Sequence, residues 1–205
     1  MQTIDVMLFR AINGLAGRPA LDAFFFVLTN IGIVGWVVLA LVLTVGAGRL
    51  PWLRGPGYIW WRAIGVVMGA SMAVAGVLEA VIKVLVRRPR PPLTLPDVHV
   101  IGAVPNSFSF PSGHALTAFA AATVLLMAVQ YRKDPRQRPL APAWLGWTAM
   151  ILAAAVGFSR VYVGVHYPSD VLAGAAMGWL VGRGAWRLFE RAAAPFARPG
   201  APEIR

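Results

Sequence analysis

Long apolar runs alternate along this chain with short polar stretches. A hydrocarbon core about 30 Å thick is crossed by a helix of about 20 residues, and five segments meet or approach that length: 21–46, 60–86, 112–131, 143–159 and 168–189. Ahead of them, "TIDVMLFRAINGLAG" repeats apolar residues at helical spacing. Ile4, Leu8, Ile12 and Leu15 share one face, with Asp5, Arg10 and Asn13 off it. Such a segment lies in the membrane interface rather than crossing it. The pattern therefore predicts an all-α fold, a polytopic membrane bundle of six helices, with residues 1–205 forming a single domain. The first twenty residues carry Asp5 and Arg10 and lack a long apolar core before a small-residue cleavage site, so no removable signal peptide is expected.

Within the spans, Gly174, Gly178 and Gly182 form a small-residue ridge, and Gly65 with Gly69 a shorter one. Close helix approach inside the bundle explains both better than oligomerisation. Trp60, Trp61, Trp144 and Tyr131 stand near segment ends and read as interface anchors.

Five crossings put the N-terminus and the loops near 87–111 and 160–167 on one side. The other side receives Arg49, Arg54, Arg62, Arg132, Lys133, Arg136, Arg138, Arg183, Arg187, Arg191, Arg198 and Arg205. By the positive-inside rule that side is cytoplasmic. The protein is thus expected in the cell membrane, with its C-terminus inside and the first side facing the periplasm or exterior.

Composition agrees: 58% of residues are hydrophobic and only 13% charged, yet the formal net charge is +11. In a membrane protein such an excess marks orientation, contact with anionic lipid or an anionic substrate. The expected partners are the bilayer and a membrane lipid phosphate, with no nucleic acid. The absence of cysteine excludes disulfides and thiolate chemistry.

Three polar clusters fall at the outward ends of the spans. "KVLVRRPRP" closes the second span with Lys83, Arg87, Arg88 and Arg90, "FPSGHA" opens the third with Ser112, Gly113 and His114, and "SRVYVGVHYPSD" links the last two through Arg160, His166 and Asp170. Ionisable groups at a bilayer edge are costly and mark function by default. A serine in the capping position, a glycine open to close approach and the free amides of a helix start make an anion site. Lys83, Arg90 and Arg160 are able to converge on the same anion, for which phosphate is the natural candidate.

The histidines turn binding into chemistry. His166 and Asp170 are four apart, which on a helical segment lets the carboxylate hold one ring nitrogen and leave the other free to attack. His114 has no carboxylate close in sequence and suits proton donation to a leaving oxygen. A metal held by His114, His166, Asp170 and His99 is disfavoured, because three cations aimed at one pocket would repel it and the spacing matches no compact zinc motif. No cofactor is expected. Glu79, one turn before Lys83, most simply pairs with it.

Lys83–Pro91, Pro111–His114 and Ser159–Asp170 together resemble the tripartite signature of the type 2 phosphatidic acid phosphatase superfamily, across a motif core of 83–170. The resemblance implies a metal-independent lipid phosphatase in which Lys83, Arg90, Ser112, Gly113 and Arg160 hold the phosphate. It further implies that His166 attacks phosphorus, Asp170 orients it and His114 is the acid. "LFRAINGLAGRPALDAFF" resembles the opening of bacterial undecaprenyl-diphosphate phosphatases linked to bacitracin resistance. That implies undecaprenyl diphosphate as substrate, beside phosphatidylglycerophosphate and phosphatidate. A phosphotransferase fits the same motifs. A phospholipid-binding or translocating protein would not require the histidine pair.

Overall fold

The computed structural model describes residues 4–46, 49, 58–131 and 141–193. Arg54, Arg132, Lys133, Arg136, Arg138, Arg198 and Arg205, counted above on the basic side, lie outside the described residues.

Among the described residues six α-helices follow one another: α1 (Ile4–Asn13), α2 (Pro19–Leu41, extended by a π-helical turn Val42–Gly46), α3 (Tyr58–Val86), α4 (Gly113–Gln130), α5 (Ala143–Tyr162) and α6 (Pro168–Ala193). Pro19 at the first turn of α2 needs no intrahelical donor there. At the far end of α3, Arg87 takes a left-handed conformation (φ 51) and Pro89 and Pro91 forbid continuation.

α4 is the central rod. It is touched by α2, α3, α5 and α6, and it is lined almost all round by small buried residues, among them Ala115, Ala118, Ala121 and Ala122. In lipid, helix association depends on close van der Waals packing rather than on burying apolar faces from water, and α4 with α6 achieves it through backbone approach. A Cβ at Gly174, Gly178 or Gly182 would collide with the carbonyls of Ser112, Leu116 and Ala120 respectively. The expected ridge is therefore a packing seam. Gly65 makes a similar approach to Thr44 and Ala40, whereas Gly69 faces open space and does not extend that seam.

Among the described residues, four helices are long and apolar enough to cross a membrane: Pro19–Gly46, Tyr58–Leu93, Gly113–Gln130 and Ala143–Tyr162. The fifth expected span, α6, is less apolar because glycines replace large side chains on its packed face and Arg183, Arg187 and Arg191 fall in its second half. Each step of four along α6 from Gly174 to Gly182 meets a step of four along α4 from Ser112 to Ala120 in the same direction, so α6 packs parallel to α4 over those turns. The outward faces carry Val27, Ile31, Val66, Val77, Leu152 and Leu180, all exposed, as a lipid-facing surface requires.

α1 lies across the end of the bundle. Of the predicted apolar face, Ile4, Leu8 and Leu15 are exposed but Ile12 is half-buried and packs on Val161 and Tyr162 and their neighbours, while Phe9 and Asn13 are buried against α5 and the 95–99 loop. The face bearing Asp5, Phe9 and Asn13 docks together with Ile12, so the predicted stripe is divided: Ile4, Leu8 and Leu15 face away from the protein and Ile12 does not. The Asn13 amide donates to the carbonyls of His99 (2.8 Å) and Tyr162 (2.9 Å) and accepts from the His99 amide (3.0 Å).

Candidate active site

The three polar clusters meet at the α1 end of the bundle. Backbone hydrogen bonds lace them together: Ser109 N–H donates to the Arg88 carbonyl (2.8 Å), Ser112 N–H to that of Asp170 (3.0 Å), and His166 N–H to that of Arg160 (3.2 Å). The end of α3, the start of α4 and the α5–α6 turn are thereby held in one frame.

His166 is 2% exposed. Its Nε2 lies 3.1 Å from Arg90 Nη1. Arginine only donates, so Nε2 accepts and a neutral ring carries its proton on Nδ1. Nδ1 faces Ser109 Oγ and Asp170 Oδ2, each at 3.5 Å. Burial, the largest influence, joins the charges of Arg90 and Arg160 in pushing the imidazole down to about 4, against the hydrogen bond and charge of Asp170. At neutral pH the ring is uncharged and Nε2 has a lone pair.

Asp170 is completely buried and fully employed. Oδ2 accepts from Ser109 Oγ (2.5 Å) and the Tyr167 amide (2.9 Å), and Oδ1 accepts from Arg88 Nη1 (2.7 Å). Arg88 in turn donates to Ser169 Oγ (2.7 Å) and to Asp5 Oδ2 (2.6 Å), and stacks 4.0 Å above the Tyr167 ring. Burial disfavours the charge on Asp5, but hydrogen bonds from Ser169 and Arg88 outweigh it and hold the carboxyl below its ordinary range.

The same end of the bundle gathers a further set of donors. Lys83 Nζ pairs with Glu79 Oε1 at 2.6 Å and reaches Ser107 Oγ at 3.2 Å. The Glu79 carboxylate rests against Gly113, where any Cβ would overlap it. Ser112 stands at the N-cap of α4, but its hydroxyl makes no capping bond, contrary to the capping expected of it. Ser112 Oγ and Arg160 Nε are both buried without a partner. Arg160 Nη1 is anchored on Thr29 Oγ1 (2.5 Å). His114, in the first turn of α4, is close enough to Arg160, His166, Lys83 and Arg90 for their charges to act on it. Buried polar atoms are almost always paired, so two unpaired ones at one end of the bundle indicate a ligand's place. A cavity of about 480 Å³ lined by Glu79, Lys83, Asn106 and Ser107 adjoins it.

All eight residues named from the motifs, Lys83, Arg90, Ser112, Gly113, His114, Arg160, His166 and Asp170, lie at this end. Two other residues weighed from the sequence do not join them. Arg87 is exposed and turns back onto the Val84 carbonyl (2.9 Å), and His99 is exposed and contributes only backbone contacts with Asn13. Among the described residues no three His, Asp or Glu side chains are grouped to share a metal ion.

Sequence reasoning missed Asp5, Ser107, Ser109 and Thr29 and left Arg88 without a role. Of these only Arg88 had a local signal, its place in a motif. Its bridge between Asp5 and Asp170 predicts that Arg88→Leu lowers kcat about tenfold or more, the scale of losing an orienting partner, with KM little changed. Asp5→Asn, which spares the direct Arg88–Asp170 contact, should cost less. Equal kcat in Arg88→Leu and the parent would show that Asp170 is held well enough without it.

Residues 64–194 match the PAP2 superfamily. The undecaprenyl-diphosphatase of Sulfolobus acidocaldarius is 36% identical over 121 residues, 59% of this chain and 51% of that protein, so the chain spans about half the length of that relative. The decaprenylphosphoryl-5-phosphoribose phosphatase of Mycobacterium tuberculosis is 36% identical over 172 residues, covering 83% of this chain and 81% of its own. The crystal structure of Aquifex aeolicus LpxE, 27% identical, superposes with a TM-score of 0.65 over 91% of this chain and 96% of that one.

Proposed function

The chain belongs to the PAP2 superfamily, and from that premise we propose that it hydrolyses the terminal phosphate of a polyprenyl-linked membrane lipid through a phosphohistidine, with undecaprenyl diphosphate as the first candidate substrate. The observation that carries this reading is the pair of buried, unpartnered donors, Ser112 Oγ and Arg160 Nε, at the same end of the bundle as an uncharged His166.

In the first step Nε2 of His166 attacks phosphorus in line, an N–P bond forms, and the bond to the departing oxygen breaks. Arg90 must release Nε2 as it does so and transfers that donor to a phosphate oxygen. The Nδ1 proton stays on the ring, facing Asp170 and Ser109. Lys83, Arg90, Arg160, the Ser112 hydroxyl and the first amides of α4 stabilise the charge on the equatorial oxygens. His114 gives a proton to the lipid phosphate that leaves. In the second step His114 takes a proton from water, the oxygen attacks phosphorus, the N–P bond breaks, and inorganic phosphate departs. Fixed cations here supply the charge stabilisation that magnesium supplies in other phosphoryl transfers, so the reaction is expected to run without a metal.

The basic residues described at the opposite end, Arg49, Arg62, Arg183, Arg187 and Arg191, support an outward-facing site with the C-terminus in the cytoplasm. An apolar cavity of about 400 Å³ between α2 and α5 includes Leu28 and Val156, next to Thr29 and one turn from Arg160. It suits a hydrocarbon tail whose headgroup lies in the site.

A second substrate is favoured by one observation. The relative named for decaprenylphosphoryl-5-phosphoribose matches over more than four fifths of both chains, whereas the undecaprenyl-diphosphatase matches over about half its own. The deciding experiment assays purified protein in detergent with excess chelator on four lipids: undecaprenyl diphosphate, decaprenylphosphoryl-5-phosphoribose, phosphatidylglycerophosphate and phosphatidate. Phosphate release is expected, fastest from undecaprenyl diphosphate. No release from any lipid would leave a binding or translocating protein, and loss of activity restored by a divalent ion would overturn the metal-free mechanism. Phosphate recovered on a second lipid would make it a transferase.

A further inference from the structure

Glu79 stands where the positive potential of the site converges. Its carboxylate pairs with Lys83 at 2.6 Å, lies on Gly113 at the start of α4 where only a hydrogen leaves room, and is near enough to Arg90 and Arg160 to act on both their charges. A helix start carries about half a positive charge and free amides. Lys83 pairs with this carboxylate directly, and two arginines and a helix terminus lie within reach of its charge. That carboxylate is flat, carries one charge and leaves Ser112 Oγ and Arg160 Nε without partners; a tetrahedral phosphate bears more charge and more acceptor oxygens.

We infer that Glu79 is an internal competitor: a carboxylate that occupies part of the phosphate cradle while the site is empty and is displaced when phosphate arrives. The pairing has a physical purpose. An unpaired ammonium at the edge of a bilayer core is costly, and Glu79 neutralises Lys83 between turnovers. The displaced side chain has somewhere to go, because it lines the adjoining cavity of about 480 Å³ with Gly76, Ala80 and Asn106. Its return repels the bound anion and favours release of inorganic phosphate after hydrolysis. A residue that only orients Lys83 would act in the opposite sense, since its loss would weaken the grip on phosphate.

The two roles separate by experiment. Glu79→Gln keeps the shape and removes the charge. With purified protein in detergent, its dissociation constant for inorganic phosphate, read by titration calorimetry, is expected to fall by roughly tenfold or more, the scale of relieving a like-charge contact. Product inhibition by phosphate should tighten in parallel. Glu79→Ala is read the same way and carries the test should the amide variant not fold. Unchanged or weaker phosphate binding in both variants overturns the proposal and leaves Glu79 as a positioning residue for Lys83. The inference rests on the phosphatase reading, and the two fail differently. A parent protein that binds phosphate but hydrolyses none of the four lipids sinks the enzymatic reading alone. An active parent with no tightening in either variant sinks the role of Glu79 alone.

Discussion

His166→Ala is expected to abolish turnover, with a loss on the order of 10⁶ in kcat, the scale of removing an essential nucleophile. The imidazole is the one group among the motif residues that combines a neutral ring, a lone pair directed by a donor, and a buried carboxylate behind it. Once it is gone, the remaining donors still bind phosphate but nothing accepts the phosphoryl group. The fold should survive. Arg90 loses one acceptor but keeps the Ser107 carbonyl (2.7 Å), the Val165 carbonyl (2.8 Å) and Ser107 Oγ (3.0 Å), and Asp170 keeps Ser109, Arg88 and the Tyr167 amide. Leaving one buried donor unpaired costs about 1–3 kcal/mol. The measurement is single-turnover labelling with a lipid bearing radioactive terminal phosphate. The parent should retain acid-labile label on protein, and the variant should neither retain label nor release phosphate. Release by the folded variant within tenfold of the parent would remove His166 as nucleophile.

The second large effect is Arg90→Lys, which keeps the charge and loses the fork. Arg90 is 2% exposed and spends its donors on three sites at once, the 107 loop, the Val165 carbonyl and Nε2 of His166. An ammonium on a flexible stem cannot reproduce that planar set. Two faults should add: a missing donor to the equatorial oxygens, worth about 10²–10³ in rate at comparable sites, and an imidazole no longer aimed. A fall in kcat/KM of about 10³ is expected, mostly in kcat. If Arg90 contributed charge alone, the lysine variant would stay within a few fold of the parent, and steady-state kinetics on the best of the four lipids distinguishes the two.

Much of this site was legible before any coordinates. Lys83 and Arg90 lie seven residues apart at a proline-broken helix end, Ser112–Gly113–His114 open a helix, and His166 and Asp170 are four apart across a helix start. Each of these is a short-range pattern, and the local backbone converts such a pattern directly into a shared face or a shared end. The capping expectation for Ser112 failed: it stands at the N-cap, but its hydroxyl makes no bond to the helix amides and is left unpaired. α6 was legible as a long helix, but it is less apolar than the four helices that meet the spanning criterion, because its packed face carries glycines that approach α4 closely.

The partners that hold the reacting groups were hidden. Asp5 is 83 residues from Arg88 and 164 from Ser169, Thr29 is 131 from Arg160, and Ser109 is 61 from Asp170. Asp5 and Thr29 also lie before residue 64, where the family match begins, so no motif could point to them. Hydrophobic period, helix breakers and charge asymmetry pointed by themselves to a membrane helix bundle with basic and histidine side chains clustered at one end, because those properties are set by neighbours along the chain. Which carboxylate steadies Arg88, which hydroxyl anchors Arg160, and that Glu79 leans into the cradle were decided only by the tertiary structure. Those contacts depend on how distant helices rotate and slide to pack, and that register is a property of the whole bundle.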